Sequence, residues 1–291
     1  MPNTFLTPDV IAREALMVLR NNAVMANLVH RDYSDEFVSG VGDTITIRKP
    51  AKFEAKEYTG SIEVQDATEN SVTVTMDKHL DVSFAVTSKQ MTMDIDNFSK
   101  QLLVPAMQAF ADKIDKYIIA LEADITQRVP HTEGVFAPAD IIAARKFLTD
   151  SAAPTTERNL VVGSQADADL LTSELFVSAE KVGDSGTALR EASLGRKFGF
   201  DIFTDQNIEK TAGGYVPSIA FHKNAFAFVT RPLALPQGAA KSAIVNYDGF
   251  GLRVVYGYDL GKKTDTVSID MVCGVKTLNK SLAAIINDSR P

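Results

Sequence analysis

The spacing of hydrophobic residues changes several times along this chain, and each change predicts a new element. Near the N-terminus, Thr7-Pro8-Asp9 is typical of a helix start, because a hydroxyl can cap the first turn and proline fits the first helical position. Apolar residues then recur at helical spacing to about Arg20, which predicts one amphipathic helix. A second short apolar stretch, Val24 to Val29, follows it.

Two alternating segments flank a polar stretch. Thr44 to Arg48 and Ser71 to Met76 alternate apolar and polar side chains, which is the period of a half-buried strand. The intervening residues 51–70 are mostly polar, with a turn signal at Thr59-Gly60. The pattern predicts a long two-stranded arm. Because an isolated ribbon is marginal in water, we expect such an arm to lie on a neighbouring surface.

The longest helical signal follows a further strand predicted over Asp77 to Thr87. Pro105 lies inside this signal, so we expect either a kink or a helix that begins there. A helix from Pro105 to Gln127 would be about 34 Å long, enough to act as a backbone for other elements. Its predicted apolar seam is Leu103, Met107, Phe110, Ile114, Tyr117, Leu121 and Ile125.

The remaining chain alternates helices and strands, then turns mainly to strands. Helix Pro138–Thr149 is expected to turn Ile141, Ile142, Ala144 and Phe147 inward. The other expected elements are a strand at 159–163, a helix at 165–173, a polar loop at 179–191, and strands at 199–203, within 218–228, at 251–258 and at 266–275. This order predicts an α+β fold with strands at both ends and an α/β section between them.

Composition narrows the class of protein. The chain is 45% apolar and 23% charged, as in ordinary folded proteins, and its single cysteine excludes an intrachain disulfide. Its apolar runs are too short to span a bilayer, and no secretory signal pattern appears, so we expect a cytoplasmic place of assembly and no membrane. The net charge of −7, with scattered basic residues, argues against a dedicated nucleic-acid binder.

Candidate chemistry is sparse. Asp77, His79 and Asp81 share a strand face, where a metal or acid–base site is conceivable, but a solvated strand face explains them equally well. The other histidines have no metal-ligand spacing, and phosphate-loop and serine-nucleophile signatures are absent. Cys273 lies among apolar strand residues, so we expect a buried thiol. We therefore predict no catalytic residue, no cofactor and no metal site.

Three stretches in the C-terminal half carry a resemblance to a known family. They are residues 188–203, which end in Gly199-Phe200-Asp201-Ile202-Phe203; residues 220–233, with Ala225-Phe226-Ala227-Phe228 before Arg231-Pro232-Leu233; and residues 269–278. Together with the order of elements, they resemble the major capsid (coat) proteins of tailed bacteriophages, and most closely those of short-tailed phages. Bacterial encapsulin compartments share this fold.

The resemblance implies a division of the chain. Residues 1–42 would form an N-terminal arm and residues 43–78 an extended β-hairpin arm. Residues 79–131 and 226–271 would form a peripheral domain with the spine helix, and residues 132–225 and 272–291 an axial domain.

The resemblance also implies a function. We expect a protein that self-assembles into pentamers and hexamers of an icosahedral phage shell around double-stranded DNA, without binding a DNA sequence. A separate scaffolding protein and a portal are expected partners, and the virion is the expected location. Some relatives cross-link an arm lysine to a distant asparagine, for which Lys49, Lys52, Lys56 and Asn279 are available in kind.

In this interpretation the apolar arm residues Phe53, Tyr58, Ile62 and Val64 contact an adjacent subunit. Alternatively, they only hold together the arm's own hairpin. Two other functions remain open. An encapsulin-type cargo compartment shares the fold, and a two-domain cytoplasmic enzyme could use the α/β section, although no convergent polar set supports it.

Overall fold

The computed structural model describes residues 8–31, 44–48, 55, 57, 71–87, 99–130, 135–177, 194–211, 213–238, 241–247 and 249–288. Its helices are α1 Pro8–Asn22, α2 Met25–Leu28, α3 Val104–Ile119, α4 Pro138–Asp150, α5 Ser164–Thr172 and α6 Glu174–Val177. Its strands are β1 Thr44–Arg48, β2 Ser71–Thr75, β3 Lys78–Thr87, β4 Arg128–Pro130, β5 Arg158–Val162, β6 Arg196–Lys197, β7 Phe200–Thr204, β8 Val216–His222, β9 Phe226–Arg231, β10 Lys241–Tyr247, β11 Phe250–Asp259, β12 Thr264–Thr277 and β13 Ala283–Asp288.

Helix α3, the spine helix, begins after a π-helical turn at Ser99–Leu103. Pro105 lies in the first α-helical turn, directly after the π-helical turn. The α-helix proper therefore begins at this proline, which is one of the two alternatives that the sequence left open. The predicted end at Gln127 is wrong. The helix ends at Ile119, continues as a 3-10 turn, Ala120–Asp124, and becomes extended at Ile125 because the chain must leave it to form β4.

Helix α4 corrects a prediction about burial. Ile141, Ala144 and Leu148 are fully buried, while Ile142 is 50% and Phe147 38% exposed. The buried residues follow the spacing of three and four that defines one helix face, and Ile142 and Phe147 flank that face. The sequence prediction placed these two residues on the wrong side of the boundary.

A five-stranded antiparallel sheet has β10, β11, β12 and β3 in that order, and β9 also pairs with β12. Along one edge, β12 pairs with β3 from Thr264 to Cys273. Along its other edge it pairs first with β11 and then with β9 from Val272 to Thr277. The long strand β12 therefore pairs with three of the other four strands of this sheet.

A six-stranded mixed sheet has the order β4-β13-β8-β5-β7-β6. β5 pairs in parallel with β7 and antiparallel with β8, as expected for the α/β section. One face of this sheet packs on α4, α5 and α6 through Leu160, Phe200 and Ile286.

One continuous apolar core joins both sheets to the N-terminal helices. Its central side chains come from the spine helix, where Met107, Phe110 and Ile114 are buried. The inner face of the five-stranded sheet and the second face of the six-stranded sheet both contribute to this core, for example through Ile269 and Ile219. The spine helix thus lies between the elements that it supports.

Two short links run side by side from one sheet to the other. β8 continues into β9 through the 3-10 turn Lys223–Ala225, and β12 continues into β13 through residues 278–282. The links are bonded to each other, because the carbonyl of Ala225 accepts N–H groups from Leu278 at 2.8 Å and from Asn279 at 3.1 Å. Mixed helix and sheet in this order confirm the α+β prediction.

Candidate functional site

The four predicted contact residues, Phe53, Tyr58, Ile62 and Val64, lie outside the described residues, as does the whole of the loop predicted at 179–191. The predicted arm contact therefore stays a prediction. The base of the arm is described: β1 and β2 pair antiparallel over five residue pairs, from Thr44 with Thr75 to Arg48 with Ser71. The predicted two-stranded pairing is confirmed at this base.

The arm base packs on the body through a small apolar cluster. Ile47 and Val74, from the paired strands, are buried against Ala227 and Val229 of β9 and against Leu278. The neighbouring residues Thr46, Thr73 and Thr75 are exposed or half-buried, so the period-two pattern of the sequence is the one that buries this face. This packing fixes the base of the arm on the body of the subunit.

Gly274 allows the arm base to pack this closely on the body. In β12 it directly follows Cys273, the last residue paired with β3, and at this point the chain of β2 passes over β12. A Cβ at Gly274 would lie 2.9 Å from the carbonyl carbon of Thr75 and 3.2 Å from the Cα of Met76, and closer still to the carbonyl oxygen of Thr75. Only glycine allows the two backbones to approach this closely.

A buried polar network joins the end of the spine segment to the six-stranded sheet. Arg128 forms a 2.7 Å ion pair with Glu122, whose side chain is 9% exposed. Arg128 also donates to Tyr215 Oη at 2.6 Å and to Asn287 Oδ1 at 3.1 Å, and Tyr215 in turn donates to the Glu122 carboxylate. Three distant parts of the chain are thereby fixed to one another.

The outer face of the five-stranded sheet is polar. Asp270 is 4% exposed and forms a two-point ion pair with Arg253, and His79 Nε2 lies 3.5 Å from its carboxylate. Asp81, which is opposite Asp270, accepts hydrogen bonds from Ser83 and Ser268.

The conceivable Asp77–His79–Asp81 site is not assembled as a metal site. Asp77 is paired with Lys78 at 2.9 Å, which lowers the pKa of Asp77, and the described part of the chain holds no group of three candidate metal ligands. The face is consistent with a hydrogen-bonded, solvated strand surface.

Cys273 is fully buried, as expected. Burial raises the pKa of its thiol to about 12, so the thiolate required of a nucleophile does not form near neutral pH. His222 is also buried, which lowers its pKa, and its Nδ1 accepts the N–H of Asn224 at 3.1 Å. It caps a turn.

Several buried acids were not predicted from the sequence, and two of them, Asp115 and Asp205, are close enough to interact. Asp115, on the spine helix, is 1% exposed and accepts backbone N–H groups from the start of α2. Asp205, after β7, is 2% exposed. Asp115 lies between Ala111 and Ile119 on the buried apolar arc of the helix. A charged residue at such a place is the signal that could have indicated it.

Two further observations concern surfaces. Leu260, at the tip of the β11–β12 hairpin, is 82% exposed, and the Asp259 carboxylate orders that tip by accepting N–H groups from Gly261 and Lys262. No helix among the described residues is long and apolar enough to cross a membrane.

No family model matches the chain, and no curated protein matches its sequence. Solved structures do match. One from Mycobacterium phage Che8 is 21% identical, with a TM-score of 0.66 over 91% of this chain and 90% of that chain. The capsid structure of cyanophage P-SCSP1u is 13% identical, with a TM-score of 0.59 over 84% and 83%.

A virus-like particle from Pyrococcus furiosus also matches, at 12% identity and a TM-score of 0.55, over 95% of this chain and 97% of that chain. The likeness extends over most of each of these chains and is not confined to one segment. The chain therefore has the fold shared by phage capsid structures and this virus-like particle.

Proposed function

We propose that this chain is a major capsid protein that self-assembles into pentamers and hexamers of an icosahedral phage shell enclosing double-stranded DNA. One observation carries the proposal: the match to a phage structure covers 91% of this chain and 90% of that one. A match of this extent covers most of the subunit and not one reusable domain.

The arm would provide one of the contacts between subunits. Its base is fixed to the body of its own subunit by the cluster around Ile47 and Val74. In the proposal, Phe53, Tyr58, Ile62 and Val64 contact an adjacent copy. Each contact can be weak, because many contacts close a shell and each later one forms at high effective concentration.

The contacts within the body suit a subunit that must keep its shape in an assembly. The Arg128–Glu122 network and the two bonded links hold the sheets and the spine helix together, while one face of the five-stranded sheet is polar and open to water. In the proposed division, residues 79–131 and 226–271 form the peripheral domain, and residues 132–225 and 272–291 form the axial domain.

The partners and location follow from the same proposal. A net charge of −7 suits a protein that encloses DNA without binding it tightly. A separate scaffolding protein and a portal would complete the shell. Assembly would occur in the host cytoplasm and the product would be the virion. The protein would act through its surfaces and not as an enzyme.

A second candidate is an encapsulin-type compartment that encloses a cargo protein. The observation in its favour is the match to the Pyrococcus furiosus virus-like particle, which covers 95% and 97% of the two chains. Electron microscopy and sedimentation of the purified protein test both candidates against an ordinary enzyme, because only shells reach megadalton size. Particles from infected cells that contain DNA support the phage shell, and particles filled with one cargo protein support the compartment.

The arm contact has its own test. We expect a variant without residues 52–70 to fold, because Ile47 and Val74 still hold the arm base on the body. We expect this variant to fail to form shells. Replacing Phe53, Tyr58, Ile62 and Val64 together by serine should have the same effect. Leu260→Ser is the matched control for loss of an exposed apolar side chain elsewhere. Shells of normal yield from the four-serine variant would refute the arm contact.

A further inference from the structure

Asp115 connects the N-terminal helices to the middle of the fold. The residue is 1% exposed, and its Oδ2 accepts the N–H of Val24 at 2.8 Å while its Oδ1 accepts the N–H of Ala26 at 3.2 Å. Both amides lie where α1 has ended and α2 begins. One carboxyl group therefore spans 91 and 89 residues of sequence and holds α2 against the spine helix.

A second buried carboxyl acts on the first. Asp205 is 2% exposed, its Oδ1 accepts the N–H of Asn207 at 2.8 Å, and its Oδ2 has no hydrogen-bond partner among the described residues. Its negative charge acts on Asp115, and that of Asp112 acts on Asp205. When both are ionised, the carboxylates of Asp115 and Asp205 thus repel each other across the junction between the spine helix and the six-stranded sheet.

Among the residues that the structure describes, the other charged groups nearby do not neutralise Asp115. Lys116, the next residue of the spine helix, is bound to Glu209 at 2.6 Å. On α1, Arg13 and Arg20 are exposed and Glu14 is half-buried. The segment around α2 presents backbone amides to the carboxyl, and His30 beyond it is hydrogen-bonded through its backbone to Phe226 and Phe228.

We propose that Asp115 makes the docking of α1 and α2 on the spine helix depend on pH, with docking tightest when the Asp115 carboxyl is protonated. Burial disfavours its charged form, and the like charge of Asp205 adds to this effect. The amides of Val24 and Ala26 oppose it, because they stabilise the ionised carboxylate. The proposal concerns the subunit itself and does not depend on the proposed function.

The direction of the pH dependence follows from linkage. Burial raises the pKa of Asp115 from 3.8 to about 7, and undocking, which returns the carboxyl to water, would lower it again. A group whose pKa is raised in the docked state stabilises docking fully below the lower value, and this stabilisation is lost as the pH rises through about 7. Between about pH 7.5 and about pH 5.5, acidification should therefore strengthen docking by about 20-fold.

Hydrogen exchange measures this docking directly. The amides of Val24 and Ala26 should be protected about 20-fold more strongly near pH 5.5 than near pH 7.5, after correction for the intrinsic exchange rate at each pH. Asp115→Asn should make this protection ratio independent of pH. Asp150→Asn, which removes an exposed carboxylate paired only with Lys146 among the described residues, should keep the wild-type ratio.

Asp205→Asn provides an independent measurement if Asp115→Asn does not fold. Removing the negative charge of Asp205 makes ionised Asp115 less unfavourable, so the midpoint of the pH dependence should move to lower pH. Equal protection of the two amides at both pH values in the wild type would overturn the proposal. So would a full pH dependence in folded Asp115→Asn, or an unmoved midpoint in Asp205→Asn.

Discussion

Replacing Gly274 by alanine tests how closely the arm base must approach the body. The added Cβ would lie 2.9 Å from the carbonyl carbon of Thr75 and 3.2 Å from the Cα of Met76, both of which are backbone atoms. Relieving this clash therefore requires a strand to move, because rotating a side chain would not be enough. That strand is held by the buried Val74 on one side and by the pairing of Lys78 with Cys273 on the other.

The expected cost follows from these contacts. Forcing extra volume into a packed site typically costs about 1–3 kcal/mol, and a backbone neighbour fixed at both ends places this site near the upper limit. Alanine also restricts the unfolded chain, which offsets roughly 0.4–1 kcal/mol. We expect Gly274→Ala to lower the free energy of unfolding by about 2 kcal/mol, and the melting temperature by roughly 5 °C.

The measurement is thermal or urea unfolding of the unassembled subunit, because contacts in an assembly would add stability of their own. Hydrogen exchange at β1 and β2 should increase as well, since the displaced strand belongs to the arm base. Gly257→Ala is the matched control: it lies in β11, where an added Cβ meets no atom within 4 Å. If Gly274→Ala and Gly257→Ala unfold at the same temperature as the wild type, the close approach does not require glycine and the reasoning is wrong.

Other predictions concern the body. Arg128→Met should cost about 3 kcal/mol, because it leaves the buried Glu122 carboxylate without its cation, and the double variant with Glu122→Gln should recover part of this loss in chemical denaturation. Cys273 should resist thiol reagents in the native protein and react after denaturation, and rapid native labelling would contradict its burial. Leu260→Ser should change the unfolding free energy by less than about 0.5 kcal/mol, because the side chain is 82% exposed, and a larger loss measured by urea unfolding would show a contact within the subunit.

The sequence was most informative where one face of an element is buried. Strict alternation indicated β1 and β2 correctly, because burying Ile47 and Val74 requires that period. The seam of the spine helix was also recognisable, since Phe110 and Ile114 recur at helical spacing on one buried side.

Prediction failed where burial depends on distant partners. Strand β10 was missed because Ala243, Ile244 and Val245 are apolar in a row, and only the sheet decides that Ile244 points outward, at 38% exposure. The role of Asp115 required knowing that the start of α2 lies against the spine helix. The arm contact residues remain predictions, because the structure describes only the base of the arm.

The two links between the sheets restrict how the subunit can deform. A single covalent link would oppose bending and twisting of one sheet relative to the other less than two links do. Two links side by side, joined through the carbonyl of Ala225, still allow the two sheets to bend about the line between the links. They oppose twisting of one sheet relative to the other about the direction of the chain. A pull on the arm reaches β9 and β12 first, and each of these strands continues through one link into the six-stranded sheet. Tension on the arm would thus be divided between the two links.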